Sequence, residues 1–146
     1  RMTDLQAALG MSQLKKLDAF IEKRRNLAKN YDKMLKDVKN IIIPKENKFN
    51  KHSYHLYPLR IRLKNIKFNK KKLFEFFFKK KINLQVHYIP TYRFSFYKKL
   101  YKLDYKKFIN TENFYKEEIS LPIYYKLRQR EQYKIVETLK NFLSNK

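Results

Sequence analysis

Three imidazoles, His52, His55 and His87, are the groups of this chain best suited to move a proton near neutral pH. His87 is the most suggestive of them. It stands in His87-Tyr88-Ile89-Pro90, where an alternating stretch from Leu84 breaks at a proline. An imidazole and a phenol at the end of a strand lie at a sheet edge, where ligand sites often form. The same spacing also fits a satisfied, half-buried histidine beside a core tyrosine. His52 and His55 are three apart in an extended stretch, so they are expected to point to opposite faces and not to share a metal. The chain has no Cys, which removes disulfides, thiolate metal sites and cysteine nucleophiles. Its single Gly excludes glycine-rich phosphate loops and a GxSxG elbow. The carboxylates of Asp4, Asp18, Glu22, Asp32, Asp37, Glu117 and Glu118 are expected at solvated helical positions, with no catalytic dyad among them. No metal site is expected.

The elements that must position these groups follow from periodicity. Thr3-Asp4-Leu5-Gln6 fits a capping box that opens a helix. Apolar residues then recur at helical spacing from Leu5 through Leu14, Leu17, Ile21, Leu27, Tyr31 and Leu35 to Val38. One continuous helix of that length connects two bodies or bends. Gly10, inside it, costs about 1 kcal/mol against Ala; close approach of another segment and chance are the two readings. Ile41-Ile42-Ile43 before Pro44 reads as a short strand. His52 to Leu63 alternates, with His55, Tyr57, Leu59, Ile61 and Leu63 on one face and Tyr54, Pro58, Arg60 and Arg62 on the other; Pro58 suggests an edge or an irregularity. Asn69 can cap a helix to about Lys80, with Leu73, Phe74, Phe77 and Phe78 inward. A strand is expected over Leu84–Ile89. Residues 91–110 read as loop with a helical turn near Phe96–Tyr101. A helix from about Thr111 to Glu118, a strand over Ile119–Tyr125 interrupted at Pro122, and a helix from about Arg128 to Leu143 complete the chain. The last helix is expected to bury Tyr133, Val136, Leu139, Phe142 and Leu143. The fold class expected is α+β: a long helix, then a small domain of about three mainly antiparallel strands with helices on one face.

The chain has 146 residues and a formal charge of +23. With 43% hydrophobic and 16% aromatic residues it is too apolar for a disordered tail. Its length allows about one ordinary domain. The basic excess invites a nucleic-acid reading, but it is 28 Lys against 8 Arg and is spread along the whole chain. Arginine, not lysine, reads guanine edges with two hydrogen bonds. No helix-turn-helix, zinc finger or RNP-type motif accompanies the charge. No specific nucleic-acid partner is therefore expected. No run approaches the roughly 18 apolar residues that span a membrane. A soluble, cytoplasmic protein is expected. The chain opens on Arg1 rather than Met, and we expect it to be a fragment.

Five segments in order resemble one family. They are Arg1-Met2-Thr3-Asp4-Leu5-Gln6-Ala7-Ala8-Leu9-Gly10 continuing through Ser12-Gln13-Leu14-Lys15-Lys16-Leu17; Arg24-Arg25 with Tyr31; His52-Ser53-Tyr54-His55-Leu56-Tyr57; Gln85-Val86-His87-Tyr88-Ile89-Pro90; and Glu117-Glu118-Ile119-Ser120-Leu121-Pro122. Together they resemble the pyridoxal-phosphate-dependent sugar aminotransferases of the DegT/DnrJ/StrS type. The likeness covers essentially the whole chain. Within the family it is nearest to the transaminases that make a 4-amino sugar nucleotide on the pseudaminic acid route.

The resemblance implies the C-terminal portion of a fold-type-I aminotransferase, with residues 1–38 as an interdomain helix and 39–146 as a small domain. The large cofactor domain would precede residue 1. The implied reaction moves an amino group, with glutamate as donor, to a 4-keto nucleotide sugar, in a homodimer with shared active sites. His87 and Tyr88 correspond to the segment that faces the bound sugar, and Arg1 to a position near the partner's cofactor phosphate. The Schiff-base lysine and most phosphate ligands of pyridoxal 5'-phosphate would lie upstream, so the fragment alone is expected to be inactive. A basic nucleic-acid-binding module and a non-catalytic interaction domain are the alternatives.

Overall fold

The computed structural model describes residues 1–62 and 69–144. Leu63, expected to extend a strand, lies outside them.

The capping box at Thr3 forms: the Gln6 amide donates to Thr3 Oγ1 at 3.4 Å, and the Thr3 amide donates to Gln6 Oε1 at 3.0 Å. It opens α1, Asp4–Leu14. The expected long helix then divides, and α2 runs Leu17–Leu35. At the junction the Lys16 amide bonds back only three residues, to Gln13 O at 2.9 Å. That tighter turn replaces the α-helical ladder without any proline. α1 buries none of its residues, whereas α2 buries Leu27, Ala28, Tyr31 and Leu35 along one stripe.

Three antiparallel strands form one sheet in the order β1-β2-β3. They are β1, Ile41–Ile42, β2, Tyr57–Ile61, and β3, Glu118–Leu121. β1 pairs with β2 only at Ile61 and Arg60, so Pro58 lies beyond its reach and its missing N–H leaves no gap on that side. β2 pairs with β3 from Tyr57↔Leu121 to Arg60↔Glu118. Alternation splits this pair into two faces. Tyr57, Leu59, Ile119 and Leu121 enter the core; Pro58, Arg60, Glu118 and Ser120 form the opposite face.

α2, α3 (Lys70–Lys79) and α6 (Gln129–Ser144) supply the rest of the core, through residues such as Leu27, Tyr31, Leu73, Phe77, Val136 and Leu139. α3 opens as expected, with Asn69 Oδ1 accepting from the Lys72 amide at 2.9 Å. α4, Ser95–Tyr101, and α5, Ile109–Glu117, are joined by the 3-10 turn Tyr105–Phe108, so the expected loop is largely helical.

Several expectations are corrected. Residues 84–89 form no strand; a single bridge joins Gln85 to Ser120. The strand expected from His52 starts only at Tyr57, because Tyr54 adopts φ +48° and breaks the alternation. Tyr54 is therefore buried and His55 exposed, the reverse of the expected faces. Phe78 is 72% exposed, since it falls on the far side of α3 from Leu73. Phe76 packs instead, 5.3 Å from the Phe142 ring. On α6 Tyr133 points out, and Gln132 is buried with its amide donating to Leu27 O at 2.9 Å. β3 stops before Pro122 rather than resuming beyond it.

Candidate functional site

The candidate site is a cleft of about 590 Å³ along the outer edge of β3. Its polar walls include Arg24, His55, Gln85, His87 and Ser120. Apolar side chains such as Ile82, Leu121, Ile123 and Ile135 share the rest of the lining with Lys81, Asn83, Glu131 and Lys134. A concave space that mixes apolar surface with convergent polar groups suits a small polar ligand.

Its edge is left open because β3 is the last strand. Gln85 closes only one rung there: Ser120 N donates to Gln85 O at 2.8 Å, and Gln85 N to Ser120 O at 3.3 Å. That rung delivers His87 to the polar face of β3. The His87 amide donates to Glu118 Oε2 at 3.1 Å, and His87 Nδ1 lies 2.8 Å from Ser120 Oγ. Ser120 Oγ in turn donates to Glu118 Oε1 at 2.7 Å. Glu118 is fully buried, and both of its oxygens are used. On α3, burial lowers the pKa of Lys70, the Glu118 charge opposes that shift, and the Lys70 ammonium donates to Tyr115 O at 2.7 Å. Tyr88, packed edge-on to the His87 ring at 4.6 Å, is 70% exposed.

The other wall is held by arginine. Arg24 Nη1 donates to three carbonyls, Tyr54 O at 3.3 Å, His55 O at 3.0 Å and Ile123 O at 3.2 Å. It thereby ties the segment before β2 to the segment after β3. Arg25 pairs with both oxygens of Glu46, at 2.7 and 3.1 Å, and with His52 O at 2.7 Å. The hydrogen bond from Arg25 holds the Glu46 carboxyl below the usual carboxylate range. His52 Nδ1 accepts from the Tyr54 amide at 2.9 Å, so this imidazole braces a turn. Behind the cleft Tyr31 OH donates to Pro122 O at 2.8 Å, and Tyr57 OH donates to Asp32 at 2.6 Å. Burial pushes both phenols up and raises Asp32 as well.

His87 thus lines the cleft, and Tyr88 stands exposed beside it. Arg1 is exposed ahead of α1 and is not among the cleft residues. His52 and His55 are exposed, and only His55 reaches the cleft. The expectation of solvated carboxylates fails at three places. Asp32 is half-buried under Tyr57, Glu117 is half-buried against Arg60 at 2.6 Å, and Glu118 is a fully buried strand residue. Glu112, not singled out from the sequence, is also buried, where Arg93 and Tyr92 bond to it. Glu118 and Ser120 had a legible signal: alternation with Ile119 and Leu121 places both on the polar face.

Pyridoxal phosphate needs an amine to form an imine and a cradle for its phosphate. Among the described lysines, Lys70 is the one whose ammonium burial disfavours, and it is tied to Tyr115 O outside the cleft. The residues of this chain do not fit the cofactor's anchor.

Fold and cleft define a small α+β unit that presents an anchored imidazole at the edge of a substrate-sized space. Solved structures similar to this one include aminotransferases. Helicobacter pylori PseC, an aminotransferase involved in pseudaminic acid biosynthesis, matches all of this chain with 38% of its own, at TM-score 0.87 and 32% identity. A Streptococcus pneumoniae protein designated a sugar aminotransferase, in its PLP-form, matches 97% of this chain at TM-score 0.86 and 27% identity, over 36% of its own. The UDP-4-amino-4,6-dideoxy-N-acetyl-beta-L-altrosamine transaminase of Campylobacter jejuni is 43% identical over 98 residues, 67% of this chain and 26% of that protein. The sequence profile of the DegT/DnrJ/EryC1/StrS aminotransferase family matches residues 1–140, and the chain belongs to that family. It spans about a quarter of the length of the curated relatives it matches.

Proposed function

We propose that this chain is the C-terminal part of a sugar-nucleotide transaminase, with residues 1–38 leading from an upstream cofactor domain into a small domain, 39–146. The reaction moves an amino group, with glutamate as donor, to a 4-keto nucleotide sugar. Pyridoxal phosphate, when bound by the upstream portion, supplies the electron sink for that exchange. This chain supplies the sugar side: His87 and Tyr88 at the cleft edge contact the ligand, while Arg24 keeps the walls of the cleft in register. Arg1 approaches the cofactor phosphate of a second subunit in a homodimer. We place the enzyme in the cytoplasm with no specific nucleic-acid partner; no helix among the described residues is long and apolar enough to cross a membrane.

One observation carries the reading. His87 is held at three points by β3 and Tyr88, yet its neighbour Tyr88 is left 70% exposed. A segment so anchored and so exposed is built to meet something beyond the chain. The test uses the full-length protein loaded with pyridoxal phosphate, reduced with borohydride and mapped by mass spectrometry. One modified lysine upstream of Arg1, lost when glutamate is added before reduction, is expected. No modified lysine would refute the transaminase reading. His87→Ala and Tyr88→Phe should lower sugar turnover more than donor turnover; equal losses would remove the substrate-facing role.

A further inference from the structure

We propose that Glu118 and Ser120 are positioning residues that lock His87 with its proton on Nδ1, so that Nε2 accepts a hydrogen bond from a hydroxyl of the bound sugar. The argument is a count of protons. A carboxylate donates nothing, and both Glu118 oxygens are occupied, one by the His87 amide at 3.1 Å and one by the Ser120 hydroxyl at 2.7 Å. Ser120 has one proton, and it is spent on Glu118. The 2.8 Å contact between Ser120 Oγ and His87 Nδ1 therefore needs its proton from the imidazole. In the neutral ring, Nε2 is then a bare lone pair.

Nothing among the described residues bonds to Nε2, while the ring lines the cleft and is steadied by Tyr88 at 4.6 Å. Glu118 is wholly buried, so water does not compete for its lone pairs. Lys70 on α3 interacts electrostatically with the same group. The arrangement is a carboxylate, a hydroxyl and an imidazole in series, aimed outward from a strand. A cleft whose imidazole only accepts selects ligands that donate there, as hydroxyl-rich sugars do, and disfavours a ligand oxygen that can only accept.

The acceptor role toward a sugar rests on the substrate-facing reading of His87; the tautomer does not. The experiment separates the two. In the full-length holoenzyme, nitrogen-15 NMR of labelled histidine, with the His87 signals identified by their loss in His87→Asn, reads the tautomer directly. The Nδ1–H form is expected. Ser120→Ala should shift His87 toward the Nε2–H form, and Ser120→Thr, which keeps the hydroxyl, should restore Nδ1–H. Glu118→Gln, whose amide can donate to Ser120, should free the hydroxyl proton for Nδ1 and move the ring the same way as Ser120→Ala. With UDP-4-amino-4,6-dideoxy-N-acetyl-beta-L-altrosamine and 2-oxoglutarate as probes, Ser120→Ala should raise KM for the amino sugar roughly tenfold. KM for 2-oxoglutarate should move far less. An Nε2–H tautomer in the unmodified protein, or one unchanged by both Ser120→Ala and Glu118→Gln, overturns the lock. The expected tautomers with no selective effect on the amino sugar overturn the acceptor role alone. An unmodified enzyme that fails with both probes counts against the transaminase reading, while the tautomer still decides the lock.

Discussion

Helices α1 and α6 both carry apolar residues at helical spacing, yet α6 buries five side chains and α1 none. Leu139 on α6 is fully buried, while Leu9 on α1 is 63% exposed. The difference is not propensity: α1 has the better start, with a complete capping box. α6 has partners. It lies against α2 and α3, where Gln132 bonds to Leu27 O and Phe142 meets Phe76. Periodicity states which face a helix would bury; only a second surface makes that face a core.

Four substitutions would break or sharpen this contrast. Leu139→Ala should cost about 2–5 kcal/mol in urea unfolding, because the site is enclosed on all sides. Leu9→Ala should stay within about 0.5 kcal/mol in the same 146-residue chain. Equal costs would mean that α1 is packed in solution, and the contrast would fail. Next comes Arg24→Lys, expected to cost about 1.5–3 kcal/mol, since an ammonium cannot reproduce the guanidinium's reach to three carbonyls. Unchanged stability would show that those carbonyls are satisfied without it. Gly10→Ala should stabilise α1 by about 1 kcal/mol, visible as added helical circular dichroism. An added Cβ there meets nothing within 4 Å among the described residues, which leaves close approach within them without support. A loss of helicity would reveal a neighbour.

The smallest effect concerns pH. Arg93, bonding to Glu112 between the 3-10 turn Thr91–Arg93 and α5, holds that carboxyl below the usual range. The folded state then binds fewer protons than the unfolded one, so this contribution is full above the unfolded value and disappears as pH falls through the folded one. Asp32 has the opposite sign: burial raises it, and its contribution fades as pH rises. Glu112→Gln should flatten the acid limb of a stability profile below about pH 4.5 while leaving the neutral plateau lower. An unchanged acid limb would mean that the pair is screened.

Much of the architecture was legible from local rules. The caps at Thr3 and Asn69, the short strand at Ile41 and the extents of α3 and α6 all follow from residues within a few positions of one another. The errors cluster where a backbone angle or a distant neighbour decides. A left-handed Tyr54 exchanged the faces of Tyr54 and His55. Residues 84–89 alternate like a strand, but only Gln85 finds a partner. In the site, His87 and Tyr88 were legible as a candidate pair and alternation put Glu118 on the polar face, whereas the burial of that carboxylate behind them was not legible.

The sequence by itself determined the capped starts of α1 and α3, and that an imidazole and a phenol stand together before Pro90. The hydrogen bonds that decide those features close within four residues, so the chain carries them wherever it goes. Tertiary structure alone decided that Glu118 is buried, that Ser120 stands between it and His87, and that Arg24 binds carbonyls from the segments before β2 and after β3. His87 and Glu118 are 31 positions apart, and Arg24 and Ile123 are 99. Such contacts depend on sheet register and on the burial that excludes competing water, which exist only once the layers have packed.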